Sequence, residues 1–525
     1  MATIDSFTIP AATPPAPLPL RILHVNDMHA RIEPADSNFN LATPATYGIA
    51  YGGLARLATH VAAARSQAAS AGQDVLVLHA GDQYQGTPWH AVYTRVGNHT
   101  PIWEMLNPIA FDAMAVGNHE FDEGPDNLAA FAASFATPLV SCNVNASRHP
   151  ALSALLSPFV IRTLPVSGKK VAIIGLTPPD TPITSSPGQL VDILPIESTL
   201  PGCIAAAKAQ GASMIVLLSH VGYNVDKGIA SSAAAADVDL IVGGHSHTFL
   251  YGTPAPAGQP QLPGSPAPNL TATTLESGAE GPYPTNVLNV ATNKTIPVTT
   301  AFWGSRYAGD LATSWDAAGN LLSVAGSPVL LGGAASAHPV ADDAATAAKV
   351  AAYREPLAVL ASLVVGELAT PLVGAANRAI GRNQETNVGN LVCEALIWGA
   401  QNIVSVVCLE NAGGIRADLP AGNVTMSQVT TVLPFGNTLV LVRVSPSALL
   451  AALNNGLSGY TGDSTAGGRF PQIAGMRLAF NPSAVDKFAR LLDLRLTTAG
   501  APAVADLPTD IIVITNNFMA SGGDG

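Results

Sequence analysis

Asp27-Met28-His29, Gly81-Asp82, Gly117-Asn118-His119-Glu120, Ser219-His220 and Gly243-Gly244-His245-Ser246-His247 are the stretches of this chain best equipped for chemistry. Each gathers His, Asp or Asn directly behind an apolar run. Imidazole and carboxylate suit Zn²⁺, Mn²⁺ or iron, and no thiolate stands among them. Asp27, His29, Asp82, Asn118, His119, His220, His245 and His247 make eight ligand-type residues, more than one tetrahedral ion takes. Two divalent ions about 3.5–4 Å apart, bridged by a carboxylate, fit that number better, and such a pair clamps the attacking and leaving oxygens of a phosphoryl transfer. Each residue taken alone has a plainer reading: Asn118 as a helix N-cap with acids in the first turn, Asp27 as a turn residue, His220 as a core histidine. Five blocks of one pattern outweigh those readings.

The blocks need elements to bring them together. Apolar runs predict strands over 21–25, 74–79, 111–116, 214–218 and 239–242, each ending at one of the blocks. Further strands are expected at 139–144 and 170–176. Leu54, Leu57, Ala58 and Val61 recur at helical spacing within 52–71, and helices are also expected at 101–106 and 200–210. Strands alternating with helices imply an α/β layered fold, in which ligands bind at strand ends. Residues 251–284 are rich in Pro, Gly, Ser and Thr and read as a surface insertion. Strand-rich 295–316 closes the first domain, and 331–342 is a small-residue junction. Residues 343–365 read as a helical bridge. A second αβ region follows, with a helix at 387–400, strands at 403–409 and 511–515, and a Gly-rich loop at 411–416.

Composition sets outer bounds. A chain of 525 residues implies two or three domains. Charged residues are 11 % of the chain, far below the usual ~25 %. The net charge of −12 argues against a nucleic-acid polymer as partner, which would need a basic surface. The longest apolar stretch, 356–376, is broken by Glu367 and Pro371, which argues against a membrane span. Four scattered cysteines are too few for a disulfide framework. Free buried thiols are expected, with a Cys393–Cys408 bridge as the alternative. Residues 1–20 form a Pro/Ala-rich tail with no basic start and no apolar signal core.

In their order and spacing the blocks resemble the calcineurin-like metallophosphoesterases. More narrowly, Leu23-His24-Val25-Asn26-Asp27-Met28-His29, Ala115-Val116-Gly117-Asn118-His119-Glu120-Phe121-Asp122 and Gly243-Gly244-His245-Ser246-His247 are similar to the 5′-nucleotidases. The resemblance implies a four-layer αββα metallophosphoesterase domain over 21–325, a linker over 326–365 and a smaller αβ substrate-binding domain over 366–525. It implies that Asp27, His29 and His247 hold one ion, that Asn118, His220 and His245 hold the other, and that Asp82 bridges. His119 would steady charge on the phosphate and help the leaving group, with Asp122 orienting its ring, and a metal-bound water would attack. Glu120 receives no role beyond a structural one. His24, His60, His79 and His90 fit no ligand slot and are assigned to packing or surface.

The second half extends the resemblance. Arg378 and Arg382 precede Glu385-Thr386-Asn387-Val388-Gly389-Asn390, and Asn411-Ala412-Gly413-Gly414-Ile415-Arg416 matches the family's Gly-Gly loop. Leu433-Pro434-Phe435-Gly436 and Asn517-Phe518-Met519-Ala520-Ser521-Gly522-Gly523-Asp524 match its aromatic blocks. By that match the three arginines meet phosphate, Phe435 and Phe518 sandwich a base, and Asp524 takes the ribose hydroxyls. The implied activity is release of phosphate from nucleoside 5′-monophosphates by a secreted or periplasmic enzyme. Alternatives are a UDP-sugar or dinucleotide pyrophosphate hydrolase, a 2′,3′-cyclic-nucleotide 2′-phosphodiesterase with 3′-nucleotidase activity, and a surface binding protein that keeps the fold without catalysis. Two departures from the family stand out: the 251–284 insertion is longer and richer in proline, and the chain ends at Gly525, where the family continues with an aromatic and a closing segment.

Overall fold

The computed structural model describes residues 17–34, 51–251, 279–334, 339–375, 377–400, 406–463, 465–497, 503–504 and 510–524. Its organising strand is β1 (Leu18–Val25). Alternation along β1 sends Leu20 and Ile22 to one face and Leu23 and Val25 to the other, and both pairs are buried in separate clusters. A strand covered on both faces belongs inside layers. β1 pairs in parallel with β2 (Asp74–His79), which pairs in parallel with β3 (Ala113–Ala115). Antiparallel Tyr307–Trp315 and then Leu321–Leu330 extend one side, and Leu139–Val140 and Leu156–Ser157 the other, giving seven strands.

A second sheet of six strands is built on β4 (Met214–Ser219) and β5 (Leu240–Val242), which also run parallel. Leu20, Ile22, Leu76 and Leu78 of the first sheet share a buried cluster with Ile173, Val216, Leu218, Ile241 and Val298 of the second. Helix Leu54–Ser70 covers the far side of the first sheet through Leu54, Leu57, Val61 and Ala64. Helix Ile196–Ala209 covers the second through Ile196, Leu200 and Ile204. Each such leucine or isoleucine contributes about 1.5–3 kcal/mol by leaving water. The order helix, sheet, sheet, helix is the four-layer arrangement the resemblance implies. Parallel pairing brings β1, β2 and β3 to one sheet edge, and β4 and β5 to one edge of the other.

Helices Ala344–Tyr353 and Glu355–Ser362 occupy the expected bridge, the first capped by Asp343, whose carboxylate accepts the Thr346 N–H at 2.8 Å. They pack on the first domain: Lys349 Nζ donates to the Glu104 carbonyl at 2.8 Å, and Tyr93 Oη donates to the Tyr353 carbonyl at 2.6 Å. The second domain holds a sheet in the order Leu439–Val444, Ile511–Asn516, Val406–Asn411, Pro471–Ala474. Helix Asn387–Gly399 packs on it, capped by Thr386 Oγ1, which accepts the Gly389 N–H at 3.0 Å.

Three expectations are corrected. Cys142 and Cys203 form a disulfide, with Cα atoms 6.3 Å apart, because helix Ile196–Ala209 lies over the segment that follows strand Leu139–Val140. Cys393 and Cys408 are free and buried. The proposed boundary at 325 falls inside strand Leu321–Leu330, which pairs along the whole of Tyr307–Trp315 and so stays with the first domain. Val364–Leu368 pairs with Gly422–Thr425 and so joins the second domain. The insertion expected over 251–284 falls largely on 252–278, outside the described residues. Its last residues include Tyr283, whose hydroxyl lies 2.7 Å from His24 Nε2. Labelling of the denatured, unreduced protein should find two thiols, and four after reduction; four before reduction would mean the disulfide does not form.

Candidate active site

All five strand-end blocks meet. His220 Nε2 at the end of β4 lies 2.9 Å from Asp82 Oδ2 at the end of β2. His29 Nε2 beyond β1 faces His247 Nε2 beyond β5 at 2.8 Å, and His247 Nε2 lies 3.3 Å from Asp27 Oδ1. Asn118 Oδ1 beyond β3 is 3.0 Å from His245 Nδ1. Asn118 starts the short helical turn His119–Phe121, but its side chain makes no capping bond, so the cap reading does not account for it.

Backbone geometry explains why glycines and turns crowd these blocks. Asp27, His29, Asp82, His245 and His247 all have positive φ, between 49° and 73°. For such residues this region costs about 1–3 kcal/mol each and persists only where the surroundings impose it. Here the surroundings are hydrogen bonds between blocks. The Asp27 N–H donates to the Gly81 carbonyl at 2.9 Å, the His29 N–H to the Asp82 carbonyl at 3.0 Å, and the His245 N–H to Asp27 Oδ2 at 2.8 Å.

The donor set fits divalent cations. His29 Nδ1 lies 3.1 Å from the Tyr84 carbonyl and donates to it, which leaves the Nε2 lone pair aimed at His247. Burial holds His29 well below the ordinary imidazole range, although Asp82 opposes it. Burial likewise works against charge on His220, yet Asp82 and Asp27 outweigh it and raise His220 to about 10. The two carboxylates thus favour positive charge at this point. Asp27 with His29 and His247, and Asp82 with His220 and His245, each place their ligand atoms within 4.8 Å of one another. His29, Asp82 and His119 do so as well.

His119 Nδ1 lies 2.7 Å from Asp122 Oδ2. Burial disfavours charge on the ring, but Asp122 and Asp82 outweigh it and raise the pKa of His119. The ring of Phe435, from the second domain, lies 5.7 Å from that of His119. The Arg416 guanidinium sits 5.7 Å from the Phe435 centroid, and Asp82, Asp122 and Asp27 partly offset the burial that lowers its pKa.

A cavity of about 1150 Å³ lies between the domains. Asp82, Asn118, His119, Asp122 and His245 line it from one side, and Arg382, Asn411, Arg416, Phe435, Phe518 and Asp524 from the other. Asp27, His29 and His220 are buried next to Asp82. Asn411 Nδ2 donates to Asp524 Oδ2 at 2.6 Å, so the loop and the C-terminal block are joined. A Cβ at Gly523 would collide with the Phe518 ring, which packs on that backbone. The backbone of Arg378 opens the turn Arg378–Gly381; its side chain lies outside the described residues.

Residues matched by homologous families agree with this division. The calcineurin-like phosphoesterase family matches residues 20–249, and the 5′-nucleotidase C-terminal domain matches 364–525. The human 5′-nucleotidase is 33 % identical over 96 % of this chain and 83 % of its own length. The chain belongs to the 5′-nucleotidase family. It is a metal-dependent phosphoester hydrolase. Among solved structures, the 5′-nucleotidase precursor of Thermus thermophilus is 35 % identical with a TM-score of 0.82, over 97 % of this chain and 91 % of that one. The NAD nucleotidase of Haemophilus influenzae is 26 % identical with a TM-score of 0.58, over the same shares.

Glu120, read from the sequence as structural, holds two loops of this 5′-nucleotidase-family site together, and Trp303 escaped the sequence reading. Glu120, fully buried, accepts four backbone N–H bonds: Oε1 from Gln83 at 2.7 Å and Tyr84 at 3.3 Å, Oε2 from Asp82 at 2.9 Å and Gly117 at 2.7 Å. The residue type stood in a motif, but its partners on the β2 loop are visible only in three dimensions. Trp303 stacks on His247 at 5.0 Å and 17°, with the Arg31 and Arg306 guanidinium carbons 5.0 and 4.6 Å from its ring. No motif marks it. Glu120→Gln turns an acceptor-only group into one whose NH₂ faces two N–H donors, and each buried group left unpaired costs about 1–3 kcal/mol. The variant should lose roughly 2–5 kcal/mol in denaturant unfolding and bind Mn²⁺ more weakly by calorimetry. Wild-type behaviour in both would remove the clamp from the account.

Proposed function

We propose that the protein hydrolyses nucleoside 5′-monophosphates with two divalent ions, Zn²⁺, Mn²⁺ or similar. The observation that carries this reading is one cavity with Asp82, Asn118, His245 and the His119–Asp122 pair on one wall and Arg382, Arg416, Phe435, Phe518 and Asp524 on the other. Asp27, His29 and His247 would hold one ion, Asn118, His220 and His245 the other, with Asp82 between them. Bound ions supply Lewis-acid activation of water and neutralise charge on the phosphate.

The chain's own groups do the rest. Arg416, with Arg378 and Arg382 from the same domain, meets the phosphate through its guanidinium fork. The His119 Nδ1–H donates to Asp122, which fixes the ring's orientation and favours the imidazolium, whose Nε2–H can donate to a phosphate or leaving oxygen. A raised pKa keeps that proton available near neutrality. Phe435 and Phe518 offer faces for a base, and Asp524 offers carboxylate oxygens to the ribose. The Cys142–Cys203 disulfide supports export to an oxidising compartment. Among the described residues, no helix is long and apolar enough to cross a membrane.

The cavity volume favours a second reading. About 1150 Å³ exceeds the roughly 300–1,000 Å³ of common small-ligand pockets, and would admit a dinucleotide or nucleotide sugar cleaved at its pyrophosphate. A panel of AMP, NAD and UDP-glucose separates the two by kcat/KM.

Phosphate release from AMP should require added Mn²⁺ or Zn²⁺ and stop with EDTA; no turnover with either metal would end the reading. His119→Asn should lower kcat about 10²–10⁴-fold, the usual contribution of a positioned acid, while metal content holds. Loss of metal as well would make His119 a ligand. Phe435→Ala should raise KM for AMP more than for p-nitrophenyl phosphate, and equal effects would remove the stacking role.

A further inference from the structure

We propose that Ser185 is a positioning residue for the His119–Asp122 pair. The inference rests on the reading that His119 acts on the reacting phosphate. Asp122 uses its two oxygens on different partners: Oδ2 faces His119 Nδ1 at 2.7 Å, and Oδ1 accepts the Ser185 hydroxyl at 2.6 Å. A carboxylate held at one oxygen can still swing about its Cβ–Cγ bond. Held at both, its plane is fixed, and with it the direction of the imidazole. Ser185 is 7 % exposed, so water does not readily replace its hydroxyl.

The segment that carries Ser185 is built to hold it still. The Ser185 N–H donates to the Thr181 carbonyl at 2.8 Å, which closes the short helix Thr181–Thr184. Thr181 Oγ1 donates to the Pro178 carbonyl at 2.6 Å. Pro178, Pro179 and Pro182 restrict the same stretch. That segment also lines the cavity and reaches the second domain, where the Asp524 N–H donates to the Ile183 carbonyl at 2.9 Å. The serine that steadies the catalytic pair therefore stands two residues from a bond that spans the cleft, on a segment both domains grip. Ser185 belongs to none of the five strand-end blocks, and its partner is 63 positions away.

A double-mutant cycle on the full chain tests this, with AMP as substrate and metal content measured for each variant. Ser185→Ala should lower kcat about 10- to 100-fold, in line with the cost of misaligning a catalytic group, while KM and metal content stay within about twofold of wild type. Ser185→Thr, which keeps the donor, should recover most of the rate. Ser185→Cys, which is slightly larger and a much weaker donor, should lose activity as Ala does. In the His119→Asn background Ser185→Ala should cost nothing further, because the group it positions is gone. An equal loss in both backgrounds, or an unchanged kcat in the single variant, would overturn the proposal. An unchanged kcat in His119→Asn alone would instead overturn the assignment of the pair, and the proposal with it.

Discussion

The carboxylate of Glu120 takes N–H bonds from Asp82, Gln83 and Tyr84 on the β2 loop and from Gly117 on the β3 loop. The rest of the centre hangs from that clamp. A Cβ at Gly117 would collide with the Asp82 carboxylate, so the two loops can close only over glycine. Once the β2 loop is fixed, its carbonyls receive the N–H groups of Asp27 and His29, and its Tyr84 carbonyl receives His29 Nδ1. Asp27 Oδ2 in turn receives the His245 N–H. The left-handed backbone at Asp27, His29, Asp82 and His245 is thus maintained by bonds between loops rather than by local preference.

Charge gives the same centre its second constraint. Asp27 and Asp82 are buried together, and burying carboxylates without compensation is prohibitive. Imidazoles answer part of that demand, as the raised pKa of His220 records. Divalent cations would answer the remainder. The second domain adds Arg416 above the same carboxylates and sets Phe435 against His119. A guanidinium and an aromatic ring of the second domain therefore reach the cluster because the two domains share one cavity.

The strand-end blocks were legible in the sequence because their chemistry needs particular residue types where buried strands stop. Asp74–His79 and Lys170–Leu176 were located to the residue for the same reason: unbroken apolar runs bounded by polar residues. What acts through tertiary contact was not legible. The Trp303 ring meets His247 across 56 positions of sequence, and Asn26 Oδ1 takes the Ala301 N–H from 275 positions away. Cys142 and Cys203 looked like isolated thiols until a helix lay over a strand end. In the second domain, Leu439–Val444 is an apolar run that stays partly exposed along its length, and its place in the sheet shows only in its full pairing with Ile511–Asn516.

Five strand ends bring the Asp/His cluster together at the floor of the interdomain cavity, and the proposed function requires it to hold two cations. Anomalous diffraction from crystals grown with Mn²⁺ tests it most directly. The account predicts two peaks, one within coordination distance of Asp27, His29 and His247, the other of Asn118, His220 and His245, with Asp82 touching both. A single peak, or a peak whose ligands include His119 Nε2, would contradict it.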